Sequence, residues 1–236
     1  MKLWHTFYLT SEENNFSGPA TSPIVDSHGT LIKMVPHSFA ADLFIEGSGI
    51  LSDGRVLNVA GNNCGREAFD IAGYRGTPCY HVLSARFPWG SASNGRPLVP
   101  LRTLSVDRDL IPLGTDVYLQ QFDGLQIPAV DSVHGTVGGF VHDGWFKADD
   151  RGGGIHGPHI DIFAGPRSMY RLMERIFPTS WRSATQSGVG AGFDATVGRG
   201  LAANPSGVTT SPGIVTGIVL VAMAGAAWWW LERRTK

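Results

Sequence analysis

Ala148-Asp149-Asp150-Arg151-Gly152-Gly153-Gly154-Ile155-His156-Gly157-Pro158-His159-Ile160-Asp161-Ile162-Phe163-Ala164-Gly165 is the stretch on which the reading of this chain turns. Asp150 and Asp161 stand eleven residues apart on either side of a glycine-rich turn. If the flanks are neighbouring strands, the two acids approach each other. Close carboxylates repel as anions, so one of them then keeps its proton near neutral pH, as a general acid must. Spacing alone also fits plain turn-capping aspartates beside glycines. His156 and His159, three apart and near His142, Asp150 and Asp161, have a composition that suits zinc. His156 falls in the glycine turn, however, and neither a metal nor any other cofactor is expected.

Working outward, short apolar runs alternate with turn signals. Ala40-Ala41-Asp42-Leu43-Phe44-Ile45-Glu46, Gly49-Ile50-Leu51 and Val56-Leu57-Asn58-Val59 each read as a short strand, and Asp53-Gly54 between the last two is a hairpin signal. Residues 98–106, 115–119, 144–148 and 159–163 read as further strands. One helix is expected over 166–177, with Pro166 in its first turn, Met169, Leu172, Met173, Ile176 and Phe177 at helical spacing, and Pro178 ending it. The chain has 31 Gly and 14 Pro in 236 residues, which implies many tight turns and few long helices. The expected class is therefore mainly β. Nineteen Lys and Arg against 20 Asp and Glu leave no excess charge for a polyphosphate backbone, and no basic patch stands out, so nucleic acid is not an expected partner. Cys64 and Cys79 either close one loop or remain free thiols.

Residues 180–212 are poor in large apolar side chains and rich in Gly, Ser, Ala and Thr, and read as a flexible linker. Residues 213–231 carry no charge over nineteen positions and contain Trp228-Trp229-Trp230. At 1.5 Å per residue they span about 28 Å, so a transmembrane helix with an aromatic belt is expected there. Arg233, Arg234 and Lys236 in the 232–236 tail favour a cytoplasmic tip, which leaves the preceding domain on the outer face. The first ten residues do not read as a signal peptide, in conflict with that orientation.

Three motifs together resemble a known family. Asp107-Arg108-Asp109-Leu110-Ile111-Pro112-Leu113-Gly114 sets an Asp before an Ile-Pro-x-Gly turn, Asp150 precedes a glycine run, and His159-Ile160-Asp161 begins a strand that ends in Gly165. In this order they are similar to the three-aspartate (3D) domain of the membrane-bound lytic transglycosylase A type, most strongly over 97–165. The His before the last aspartate fits that pattern. The resemblance implies a double-psi β-barrel within residues 1–179, with its core at about 97–165 and a small inserted β subdomain, followed by the linker and a C-terminal transmembrane helix.

The resemblance also implies an enzyme that cleaves the β-1,4 bond between N-acetylmuramic acid and N-acetylglucosamine in peptidoglycan and leaves 1,6-anhydro ends. Carried over by position, Asp161 is the catalytic acid and base, Asp150 supports it, and Asp107 stands further out. Gly153 and Gly154 let the backbone approach the sugar, and His159, Trp89 and Trp145 are candidates for substrate binding, with Tyr80 a further stacking candidate. The expected partners are peptidoglycan strands and, through 213–231, a membrane. The domain is expected to face the periplasm or cell wall, and a phage-encoded protein delivered in a virion membrane or at lysis would reconcile that placement with the N-terminus. The alternative is a wall-binding or structural module that keeps the barrel without cutting glycan.

Overall fold

The structure, a computed structural model, describes residues 1–71, 73–178 and 192–198. The chain opens with β1 (Lys2–Leu9) and β2 (Ser11–Glu12), passes a 3-10 turn at Glu13–Asn15, and forms a hairpin from β3 (Ala20–Val25) and β4 (Leu31–Pro36). Helix α1 (His37–Glu46) leads to β5 (Ser48–Ile50), β6 (Val56–Gly61), the hairpin β7 (Phe69–Ile71) and β8 (Tyr74–Gly76), and β9 (Cys79–Val82). The remaining described elements are β10 (Thr103–Val106), β11 (Thr115–Ile127), β12 (Val130–Ser132), β13 (Gly135–Val137), β14 (Phe140–Asp150), β15 (His159–Gly165), α2 (Arg167–Ile176) and β16 (Phe193–Val197).

Six strands close into a barrel in the order β1-β15-β10-β14-β11-β16, with β16 returning to β1. Two of its pairings, β1 with β15 and β10 with β14, are parallel. Burial alternates along much of β11 and β14 and along the first half of β1. Leu3, Phe7 and Leu9 of β1, Leu104 and Val106 of β10, and Ile160 and Ile162 of β15 are buried in one core. Thr6 and Asp161, at the intervening positions, are only half-buried. The two-residue period thus turns Thr6 of β1 and Asp161 of β15 to the barrel's outer face. His5 points inward, stacked on Phe193 with ring centroids 4.1 Å apart, and burial lowers its pKa, so it behaves as a neutral core ring.

Between β1 and β10 lies the inserted subdomain. It contains the sheet β2-β5-β6-β9, the two hairpins β3–β4 and β7–β8, and α1, around a second core of Phe39, Leu43, Leu51, Leu57, Phe69 and Tyr80. The Asp53-Gly54 signal is met by a tight turn with Gly54 at φ 88° and Leu51 N–H donating to Arg55 O. Cys64 and Cys79 are joined in a disulfide with Cα atoms 5.5 Å apart, closing the loop that carries β7 and β8.

Several expectations are corrected. Residues 40–46 are helical: Phe39, Ala40 and Leu43 form one buried stripe of α1, and Gly47 at φ 74° ends the helix. Tyr80, 1% exposed, belongs to the subdomain core and is not available to a sugar. The barrel also extends beyond 97–165 in both directions, to β1 and to β16, and β16 lies inside the stretch expected to be linker. Phe193 and Ala195 give that short strand its buried face, between β1 and β11. The rest of the 180–212 linker and the 213–231 span lie outside the described residues. Among those described, no helix is long and apolar enough to cross a membrane.

Phe193 packs on His5, Phe122 and Phe177 and is 2% exposed. Phe193→Ala is expected to cost about 3–5 kcal/mol in chemical denaturation, and truncation after residue 180 to cost at least as much. Reduction, or Cys64→Ser with Cys79→Ser, should lower stability by about 3 kcal/mol, as expected for a closed loop of this length, measured by the same unfolding curves.

Candidate active site

A row of side chains crosses four strands of the barrel's outer face. Thr6 on β1 is in register with Asp161 on β15, Asp161 with Ser105 on β10, and Ser105 with Asp150 on β14. The expected neighbours Asp150 and Asp161 are therefore separated by an intervening strand. At about 4.8 Å per strand their backbones stand roughly 10 Å apart.

Asp161 Oδ1 accepts a hydrogen bond from Thr6 Oγ1 at 2.8 Å. Burial pushes the Asp161 pKa up to about 7, the Thr6 bond pulls it down, and the charges of Asp150 and Glu174 push it further up. The acid is thus poised to hold a proton near neutrality and to release it there. Asp150 is fixed by other partners: Oδ1 accepts from Ser93 N–H at 2.9 Å and Ser93 Oγ at 2.6 Å, and Oδ2 from Tyr8 Oη at 3.0 Å. Its link to Asp161 is electrostatic. The Tyr8 hydroxyl, buried and facing these carboxylates, has its pKa raised well above the ordinary value and remains a neutral donor.

Asp107 has a different place. Its Oδ2 accepts from Gly157 N–H at 2.7 Å and its Oδ1 from Asp109 N–H at 3.0 Å, and these amides hold its pKa below the usual range. It clamps the end of the loop between β14 and β15. The glycines of that loop answer to a protein side chain: a Cβ on Gly154 would collide with the Tyr74 hydroxyl, and one on Gly153 would lie 3.4 Å from the Tyr74 ring. Gly153 and Gly154 are exposed, and Tyr74, at the tip of β7–β8, flanks the approach to them. Burial and the Asp161 charge raise the Tyr74 pKa, which puts the phenol within electrostatic reach of the acid.

The remaining expected residues divide. His159 is 5% exposed, with Nε2 2.9 Å from Thr6 Oγ1 and its ring stacked on Trp4. Its contact with the row is through Thr6. His156 Nε2 turns to Gly153 O at 3.1 Å, so the two histidines do not converge. Among the described residues, no three His, Cys, Asp or Glu side chains gather as metal ligands. Trp89, 6% exposed, is packed in the barrel core against His134, which corrects its reading as a sugar platform. Trp145 is 46% exposed and lines an open cleft of about 400 Å³ with Pro97, Val99, Thr103 and Phe146, rimmed by Arg96, Lys147 and Asp149. Thr103 lies two residues along β10 from Ser105, so the cleft begins about 7 Å from the Asp161 row.

Sequence reading missed Thr6, Tyr8, Ser105 and Tyr74. For the first two a signal was present: the run Leu3 to Leu9 alternates, and Thr6 and Tyr8 fall on its outward positions. Ser105 and Tyr74 carry none, since each becomes notable only through the partner that the fold gives it.

Residues 102–170 match the family model described as the 3D domain. Solved structures to which this chain is similar include E. coli MltA with bound chitohexaose, 16% identical over 72% of this chain and 68% of that one, with a TM-score of 0.49. A membrane-bound lytic murein transglycosylase from Agrobacterium tumefaciens is 14% identical over 70% of this chain and 66% of its own, with a TM-score of 0.42. The lytic transglycosylase LtgG of Burkholderia pseudomallei is 18% identical over 68% and 64%, with a TM-score of 0.37. Curated protein sequences yield no match. The matched segment begins just before β10 and ends within α2, and it includes Asp107, Asp150 and Asp161: the chain carries a 3D domain.

Proposed function

We propose that this protein is a peptidoglycan lytic transglycosylase in which Asp161 serves in turn as general acid and general base. The observation that carries the reading is a half-buried carboxyl with its pKa raised to about 7, separated by one strand from Asp150, inside the matched 3D segment. The barrel is proposed to be of the double-psi type, supported by its two parallel pairings.

The chemistry follows from that separation. Protonated Asp161 gives its proton to the glycosidic oxygen between N-acetylmuramic acid and N-acetylglucosamine, and the bond to C1 breaks. The carboxylate so formed takes the proton from the C6 hydroxyl of the same muramoyl residue, and O6 closes on C1. The product is a 1,6-anhydro end, and Asp161 has recovered its proton. Because the nucleophile belongs to the substrate, no second carboxylate is required at the water-activating or nucleophilic distance. Asp150, fixed by Ser93 and Tyr8, contributes a charge that favours the protonated form of Asp161 at the start of each turnover. Asp107 holds the loop over the site. The exposed Trp145 offers an aromatic face for a sugar further along the strand.

The charge-free run 213–231 supports a membrane-held enzyme, and Arg233, Arg234 and Lys236 after it support a domain that faces the wall, with phage delivery as the proposed route.

Mass spectrometry of purified peptidoglycan incubated with the full chain should show 1,6-anhydromuropeptides, and Asp161→Asn should abolish them. Reducing ends would overturn the transglycosylase reading, and binding without products would favour a structural module. Cleavage should fall as pH rises through about 7, because Asp161 must begin protonated. Stability runs the same way. The folded chain binds this proton more tightly than the unfolded chain, so the cost of the buried carboxylate is absent below about pH 4, grows towards pH 7 and is complete above it. Asp161→Asn should therefore stabilise the fold at pH 8 by on the order of 4 kcal/mol, and markedly less at pH 5, in paired denaturant titrations.

A further inference from the structure

Behind Asp161 runs a chain of two hydrogen bonds whose direction the proposed reaction leaves open. Thr6 Oγ1 donates to Asp161 Oδ1 at 2.8 Å and lies 2.9 Å from His159 Nε2. A threonine hydroxyl has one hydrogen. With that hydrogen given to Asp161, the contact with His159 is a hydrogen bond only if Nε2 carries the imidazole proton.

The direction of the Thr6 bond selects that tautomer. His159 Nδ1 is buried without a hydrogen bond of full geometry, and the Gly154 backbone lies close enough to the ring to raise its pKa. Trp4 stacks on the ring with centroids 3.4 Å apart and an interplanar angle of 11°. Burial, with smaller contributions from His5 and His156, lowers the His159 pKa to about 3, partly offset by Gly154, so the ring is neutral and has one N–H to give. The opposite tautomer would reverse the chain. Nε2 would then accept the Thr6 hydrogen, Thr6 Oγ1 would accept from a protonated Asp161 Oδ1, and the acid's proton would face the barrel.

Resting on the proposed role of Asp161, we infer that His159 is a positioning residue: as the Nε2–H tautomer it acts through Thr6 to keep Asp161 Oδ1 an acceptor, confining the catalytic proton to Oδ2. Oδ2 makes no hydrogen bond among the described residues and is the oxygen left for the substrate. The other groups facing Asp161 are Ser105 from β10, Asp150 from β14, Tyr8 from β1, Tyr74 from the β7–β8 hairpin, and Glu174 and Tyr170 from α2. Asp150 and Glu174 favour protonation of the carboxyl through charge. Thr6 is the one group hydrogen-bonded to a named oxygen of it among the described residues.

The tautomer is testable in the unmodified full chain. Long-range ¹⁵N–¹H correlation spectra of labelled protein should show His159 protonated at Nε2, and protonation at Nδ1 would overturn the proposal. Variants then test its consequence through the ¹³C titration of the Asp161 carboxyl, which requires no turnover. Thr6→Val and His159→Leu should each raise the Asp161 midpoint by a similar amount, His159→Gln should restore it through its side-chain N–H, and the Leu/Val double variant should match Thr6→Val alone. On peptidoglycan, His159→Leu should lower kcat about tenfold, the scale of one hydrogen bond to a charged group, with KM unchanged. Additive shifts in the double variant, or no rescue by Gln in a folded protein, would show a merely structural histidine. If the chain cleaves nothing, the enzymatic reading falls and the spectra still decide the tautomer and the coupling.

Discussion

The parallel pairing of β1 with β15 is the constraint from which the site follows. It sets Trp4 against His159, Thr6 against Asp161 and Tyr8 against Phe163, joining the first residues of the chain to residues more than 150 positions later. A slip of one residue would turn Thr6 and Tyr8 into the core and bring His5 and Phe7 out, because side chains alternate along a strand. The register is secured from the inside, by Leu3, Phe7 and Leu9 packing with Ile160 and Ile162. β16 then covers the other edge of β1 and completes the barrel. The apolar core thus fixes the positions of polar groups that it does not contain.

On the outer face, opposing effects leave the acid near neutrality. Burial alone penalises the Asp161 carboxylate, and the Asp150 and Glu174 charges add to that, while the Thr6 hydroxyl stabilises it. The order matters, since desolvation is the largest effect and the hydrogen bond only moderates it. The intervening β10 keeps Asp150 from sharing a proton with Asp161, which leaves Asp161 to titrate largely as one group. The same strand carries Ser105, whose buried Oγ finds no hydrogen-bond partner, into the row between the two acids. The inserted subdomain supplies the remaining wall, with Tyr74 held over the glycine loop on a hairpin closed by Cys64–Cys79.

Much of this was legible in the sequence where function depends on local order. Asp150, the glycine turn and Asp161 lie within one short segment, and the expected helix at 166–177 appears as α2 because Pro166 and the apolar spacing are local signals. The failures have a common physical origin. The apolar run 40–46 is too short to settle its period, and α1 is recognisable only with its Gly47 cap. β16 was hidden because five residues with two buried side chains barely disturb a Gly- and Ser-rich composition. Trp89 and Tyr80 resemble sugar platforms in the sequence because an aromatic side chain looks the same there whether it faces a core or a cleft. Asp150 and Asp161 were expected on adjacent strands, but a glycine-rich connection does not state whether its flanks pair with each other or with a third strand.

The central claim is that one carboxyl performs both proton transfers while the substrate supplies its own nucleophile. Digestion of purified peptidoglycan in ¹⁸O-labelled water, followed by mass analysis of the new chain ends, tests it most directly. The account predicts anhydro ends that contain no ¹⁸O and depend on Asp161; ¹⁸O in those ends would mean that water is the nucleophile and would contradict it.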